Sequence, residues 1–136
     1  MEPGTIGVVA ALIRDDAGRV LLVRKRGTSA FMQPGGKRDP GEDDIAALTR
    51  EIAEELGCCL VRDSVQPLGE FDAIAANEPG WRVHACLSGI DVTGDFTPNR
   101  EIEEMIWIDP AAPPDILLAP LTRDHVLPLA CLGRVG

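Results

Sequence analysis

Three glutamates stand at a spacing that an α-helix turns into one acidic face, a pattern that on its own most often means a solvated surface. Glu51, Glu54 and Glu55 occupy i, i+3 and i+4, and residues three and four apart are neighbours on a helix. At about 100° per residue, Ile45, Leu48, Ile52 and Leu56 gather roughly a quarter-turn away, as a buried stripe does. One side of this segment faces a core while the adjacent side concentrates negative charge. Like charges packed this closely destabilise a helix by a few tenths of a kcal/mol per pair. Something must offset that, and an oxygen-loving divalent cation is the natural candidate. Upstream, Gly36-Lys37-Arg38-Asp39-Pro40-Gly41-Glu42 forms a Pro/Gly-rich loop that feeds straight into the segment. With Asp43 as N-cap and Gly57 as the stop, the pattern predicts a helix over Asp44–Leu56.

The rest of the chain reads as support for this segment. Residues 5–14, rich in Ile and Val, predict a largely buried strand. Residues 20–26 predict its return strand, joined through the Asp15-Asp16-Ala17-Gly18 turn as a hairpin. Regular alternation would put Arg24 and Arg26 on one face and Lys25 on the other; one or two of this basic trio, Arg24 and Arg26 first, are candidates for meeting a substrate phosphate, the alternative being a solvated strand end. Residues 27–41 form a loop containing Pro34-Gly35-Gly36 and Pro40-Gly41, where backbone turns sharply or comes close to something. Further strands are expected at 59–61, 65–73, 81–90 and 105–108, the second and third of these paired through the Asn77-Glu78-Pro79-Gly80 turn. Residues 91–100 read as a polar loop. A last helix is expected from about 120 towards 132, kinked or interrupted by Pro128. Strands before and after a central helix predict an α/β protein, α+β in some schemes.

Composition narrows the function classes. The length of 136 residues is that of one domain, taken here as 1–136, and a hydrophobic fraction of 45% is enough for a core. Lys and Arg number 13 against 22 Asp and Glu, a formal charge of −9. Grip on a nucleic acid backbone comes largely from Lys and Arg, so a nucleic acid polymer is not an expected partner. Small phosphorylated ligands are, since metal ions supply positive charge locally. Cys58, Cys59, Cys86 and Cys131 form no CxxC pair and read as reduced thiols. Met1-Glu2-Pro3-Gly4 lacks a signal peptide's basic segment, and the apolar run at 8–13 is too short to span a bilayer. A cytoplasmic protein with no membrane partner is expected. His84 and His125 have no sequence-near partner and read as structural or surface residues.

Written as a pattern, G-x5-E-x7-R-E-U-x-E-E-x-G-U, with U apolar, is filled at every position by Gly36, Glu42, Arg50, Glu51, Ile52, Glu54, Glu55, Gly57 and Cys58. At background frequencies of roughly 7% each, an accidental match to its fixed residues is rarer than about one in a million. On these residues, spanning 36–58, the chain resembles the Nudix (MutT-like) hydrolases. The two N-terminal strands, the Pro-Gly-Gly and the stretch from Glu101 to Trp107 fall in that family's order. The resemblance implies an α/β/α sandwich around a mixed sheet. It also implies Mg2+-dependent hydrolysis, with Mn2+ as the alternative cation, of a pyrophosphate bond in a nucleoside diphosphate linked to another moiety. By position, Glu54 and Glu55 are similar to the principal metal ligands, and Glu51 to a third ligand or to the residue that orients the attacking water. The carbonyl of Gly35 or Gly36 resembles the family's backbone ligand. Arg50 would brace the carboxylates, Glu42 would fix the loop, and Glu101, ahead of Glu103 and Glu104, would complete the site. Oxygen ligands suit Mg2+, and a nearby carboxylate can accept the proton of the attacking water.

Substrate is less legible. The proline that marks ADP-ribose hydrolases would fall near Ile74, and the tyrosine that marks dinucleoside-polyphosphate hydrolases has no counterpart in a chain without tyrosine. No asparagine stands near Leu121 to read 8-oxoguanine as in MutT. House-cleaning of nucleoside triphosphates is compatible with the size. Gln33 departs from the family's apolar or aromatic residue before Pro-Gly-Gly and is expected at the rim of the base or leaving-group pocket. The rival reading, a non-catalytic Nudix module that senses nucleotides, is opposed by the intact box. Many relatives pair as homodimers, and no segment here identifies an interface.

Overall fold

A computed structural model describes residues 4–99 and 101–132. The strands are β1 (Thr5–Leu12), β2 (Val20–Lys25), β3 (Phe31–Met32), β4 (Gly35–Lys37), β5 (Cys59–Leu60), β6 (Gln66–Ile74), β7 (Arg82–Gly89), β8 (Val92–Thr93) and β9 (Ile102–Ile108). Helix α1 (Asp44–Leu56) follows β4, a π-helical turn spans Thr122–Val126, and α2 (Leu127–Leu132) continues from it. A mixed sheet has the order β4-β1-β7-β6, with β1 parallel to β7 and antiparallel to β4. An antiparallel sheet has the order β3-β2-β9, and β5 pairs with β8.

The layering follows from strands that are apolar on both faces. Val9, Ala11 and Ile13 pack with Leu21 and Val23 against Ala47, Leu48, Ile52 and Leu56 of α1. Their neighbours Ala10, Leu12, Val20 and Leu22 pack instead with Val126, Leu127 and Ala130 at the C-terminal helix. Such continuous apolar runs belong to strands covered on both sides. The β-structure therefore lies between α1 and α2, as an α/β/α sandwich requires.

Helix α1 keeps the predicted bounds. Asp43 Oδ1 accepts the Ala46 N–H at 2.8 Å. Gly57 closes the helix in the left-handed region (φ 69°), donating its N–H to the Ala53 carbonyl, where a side chain would be strained.

The β1–β2 hairpin forms only at its turn. Asp15 Oδ1 accepts the N–H groups of Ala17 and Arg19 at 3.0 and 2.8 Å, and Arg14 bridges Val20. Beyond that point the strands part into different sheets. Both edges of β1 are taken, by β4 and β7, and both edges of β2 by β3 and β9, so neither strand has an edge left for the other. Strand β9 also starts earlier than expected, at Ile102, because cross-strand charge pairs extend it: Arg24 sits 2.6 Å from Glu104. The segment read as a polar loop contributes β8.

Pro128 does not break the last helix. A proline lacks the N–H for the helical ladder and crowds the preceding turn. The turn before it widens, with the Leu127 N–H donating to the Thr122 carbonyl five residues back. Among the described residues, no helix is long and apolar enough to cross a membrane.

Ile52, fully buried under α1, gives a direct test of this packing. Ile52→Ala is expected to lower the unfolding free energy by about 2–5 kcal/mol in urea titration. Ile45→Ala, at a half-buried position on the same helix, is expected to cost less than half as much.

Candidate active site

Two consecutive glycines bring the backbone of β4 against both the sheet and α1. Gly35 lies opposite Ala10 of β1, with φ +147°, and a Cβ there would fall 2.1 Å from the Val9 carbonyl oxygen. Gly36 lies opposite Val9, and its Cβ would fall 2.5 Å from Glu51 Oε2. Only hydrogen fits at Gly35, against the backbone of β1, while a Cβ at Gly36 would have to push the Glu51 carboxylate aside, so the peptide passes close beneath that carboxylate.

Arg50 organises the acidic groups around this approach. Its Nε and Nη2 donate to the two oxygens of Glu42, both at 2.8 Å. Nη1 donates to Glu51 at 2.7 Å and to Glu54 at 3.3 Å, and Nη2 also reaches the Lys37 carbonyl at 2.9 Å. Asp39 lies 3.1 Å from Nε. A planar guanidinium presents its donors as a fork, which suits paired bonds to a carboxylate. These Arg50 bonds, with the Asp39 N–H, hold the Glu42 carboxyl down at about 2. Glu42 and Glu51 in turn push Arg50 further above its ordinary value.

Glu55 is treated in the opposite way. It is 3% exposed, and its Oε1 accepts the Gly35 N–H at 3.2 Å. Burial pushes its carboxyl up to about 8; the Gly35 N–H and Lys25 oppose the shift, while Glu51 and Glu101 add to it. At neutral pH this carboxyl is mostly protonated. A buried acid that keeps a proton for want of a counter-charge, beside two more carboxylates and two glycine carbonyls, suits a hard divalent cation that prefers oxygen ligands.

A cavity of about 410 Å³ opens beside this cluster. Of the sequence-predicted residues, Gln33, Gly35, Gly36, Glu51 and Glu101 line it. Glu42, Arg50, Glu54 and Glu55 stand behind that wall. Arg24 and Arg26 are directed elsewhere. Arg24 donates to Glu104 at 2.8 Å and to the Thr28 carbonyl at 2.7 Å, and Arg26 lies 3.4 Å from Glu103. Lys25, on the face of β2 opposite Arg24 as regular alternation predicts, lines the cavity with its Nζ 3.9 Å from Glu101. A shift in the pairing with β9 falls between Arg24 and Lys25. Gln33 is buried at 8% exposure, with its Oε1 accepting the Thr122 hydroxyl at 2.6 Å. Lys37, residues 74–78 and Leu121 also line it; Lys37 lies inside the box at a position the pattern leaves open, and the others come from distant segments and carried no motif of their own.

Residues 4–129 match the family described as the NUDIX domain. The chain is 39% identical over 76 residues to the 8-oxo-dGTP diphosphatase of Haemophilus influenzae, covering 53% of this chain and 56% of that protein. It is 43% identical over 54 residues to nucleoside diphosphate-linked moiety X motif 6 of Xenopus laevis, covering 38% of this chain and 25% of that protein. The chain thus spans less than two thirds of both relatives. The crystal structure of a MutT NUDIX hydrolase from Burkholderia pseudomallei superposes with a TM-score of 0.74 at 26% identity, over 96% of this chain and 98% of the other.

The buried carboxyl of Glu55 makes the cation-free fold sensitive to pH. An acid with a higher pKa folded than unfolded stabilises the fold fully below its unfolded value and loses that contribution as pH rises through the folded value. In EDTA, the unfolding free energy is expected to fall between about 4.5 and about 8. Glu55→Gln should flatten that slope in urea titrations across the same range.

Proposed function

The chain belongs to the NUDIX family, and from that premise we propose that it hydrolyses a pyrophosphate bond in a nucleoside diphosphate linked to another moiety, with Mg2+, or Mn2+ in its place, as the cation. The observation that carries this reading is a cavity whose lining combines two kinds of group. Glu51, Glu101, Lys25, Lys37 and the paired glycines supply charge and backbone polar groups, and Ile6, Val8, Val83 and Leu121 supply apolar surface. Its volume of about 410 Å³ lies within the range of small-ligand clefts, which run to roughly 300–1,000 Å³. Apolar lining suits a flat base, and the charged groups suit a cation-bound diphosphate.

The residues divide the work. Glu51, Glu54 and Glu55, with the carbonyl of Gly35 or Gly36, would hold the cation, and Glu101, which lines the same cavity and acts on the Glu55 carboxyl, would complete the site. When bound, the cation shields phosphate charge and lowers the pKa of water. Arg50 keeps Glu51 and Glu54 in place through the bonds already described, and Glu42 secures Arg50 to the loop. Lys25 and Lys37 offset phosphate charge, the part first assigned to Arg24 and Arg26, which are engaged with Glu104 and Glu103. If Glu54 and Glu55 suffice for the cation, Glu51, the box carboxylate on the cavity wall, would instead orient the attacking water, and an unligated carboxylate of the cluster would accept its proton. Gln33, with its oxygen engaged by Thr122, turns its amide NH2 to the ligand's acceptor atoms. The Haemophilus relative is named for 8-oxo-dGTP, which makes canonical and oxidised nucleoside triphosphates the first substrates to test.

The test is a panel of those triphosphates, ADP-ribose, NADH, nucleotide sugars and dinucleoside polyphosphates, with products identified with and without Mg2+. A nucleotide product that appears only with Mg2+ is expected; no turnover on any of them would leave a binding module instead. Glu54→Gln and Glu55→Gln are each expected to lower turnover by orders of magnitude with circular dichroism unchanged, and full activity in both would remove the metal assignment. Gln33→Ala is expected to change the ranking of substrates more than the best turnover.

A further inference from the structure

On the outer part of the mixed sheet, β6 and β7 gather donors of another chemical kind. Glu70 lies directly opposite Cys86, and Asp72 directly opposite His84, so the four side chains share one face. One donor atom each from Glu70, His84 and Cys86 lie within 4.8 Å of one another. His84 places Nε2 2.8 Å from Glu70 Oε1 and Nδ1 2.8 Å from Asp72 Oδ1. On the other side of β7, β1 sets Gly7 beside His84, so no neighbouring side chain from that strand covers the imidazole. None of the three donors is among the residues lining the cavity.

We propose that Glu70, His84 and Cys86 form a second cation site, separate from the box, that takes a borderline-soft divalent ion of the Zn2+ class, with Asp72 orienting the imidazole. The donor set decides the class of ion. Mg2+ prefers oxygen and gains little from sulfur or imidazole, whereas Zn2+ accepts thiolate, imidazole and carboxylate together. Asp72 on Nδ1 fixes the tautomer that leaves Nε2 for the ion, the arrangement that commonly supports a metal-bound histidine. In the ion-free protein a proton bridges Nε2 and Glu70, and both carboxylates, Asp72 foremost, raise the His84 pKa. The ion takes the place of that proton, so binding releases it and strengthens as pH rises.

The surroundings permit this. Arg38 lies beside Cys86, but its charge is met by Asp44 at 2.7 Å. Glu70 and Asp72 then leave the neighbourhood negative. Tetrahedral bonds of about 2.0–2.3 Å set donors roughly 3.3–3.6 Å apart, and exposed Glu70 can rotate to reach that spacing. Three protein ligands at a partly open surface leave one position for water, which describes an exchangeable site. Such an ion would clip β6 to β7, the two strands whose connecting residues 74–78 wall the cavity. The proposal stands independently of the hydrolase reading.

Co2+ is the probe, titrated into the protein with Mg2+ in excess to occupy the carboxylate site. A thiolate ligand gives Co2+ a ligand-to-metal charge-transfer band in the near ultraviolet, which oxygen ligands do not. The wild type is expected to develop this band to saturation at one equivalent and to lose it when Zn2+ is added. Cys86→Ser should abolish it, and His84→Gln, which keeps the thiol, should weaken Co2+ binding. Asp72→Asn should retain the band at about 10–100-fold lower affinity. Glu54→Gln, in the other cluster, should leave both band and affinity unchanged. A wild type without the band, a band that survives Cys86→Ser, or an Asp72→Asn variant with unaltered affinity would each overturn the proposal. Circular dichroism of each variant confirms that the sheet is intact.

Discussion

One guanidinium holds the loop before α1 to the acidic face of that helix. Arg50 reaches Glu42, Glu51, Glu54 and the Lys37 carbonyl at once, and no other cationic side chain could. A lysine is a compact point charge with three donors, whereas the fork of an arginine meets one carboxylate with two parallel bonds and still has donors for others. Remove that fork and Glu42, Glu51 and Glu54 would repel one another across a short distance. The Glu51 carboxylate would then have no reason to lie over Gly36, and the narrow passage of β4 beneath it would lose its purpose. The two glycines and the arginine are halves of one arrangement.

Two glutamates of this cluster show how differently one residue type can be handled. Glu42 is paired, and its carboxyl sits at about 2; Glu55 is buried, and its carboxyl sits at about 8. Charge pairing and desolvation act in opposite directions on the same group. The result is a fixed anion that secures the loop next to a buried acid that holds its proton. Glu42 lies in the loop before α1, in reach of Arg50, whereas the helix carries Glu55 to the border between the acidic face and the buried stripe of Leu48, Ile52 and Leu56.

Helix α1 was legible because everything that defines it is local: a cap at Asp43, a stop at Gly57, and an apolar period between them. The box residues were legible for the same reason, since spacing along a helix is spacing in space. What escaped depends on contacts between distant segments. Strands β1 and β2 did not pair along their length, because each strand needed two other ladders. Thr122 met Gln33, 89 residues away, and neither residue signals the other. The box pattern was thus written in one segment, while the walls of the cavity were distributed over eight.

The widened turn ahead of Pro128 has a consequence for how this chain can vary. An extra residue in a helical turn rotates everything after it by about 100° relative to a regular helix. Leu127 and Ala130 are buried, whereas Pro128 is exposed, and that division holds only with the extra residue present. Substitutions between Thr122 and Pro128 change single contacts. Losing one residue there would re-phase the whole end of the helix, turning Pro128 towards the core and a buried leucine towards water, while Thr122 and Gln33 stayed where they are. The segment is constrained by a count more than by a composition, a form of information that no motif search records.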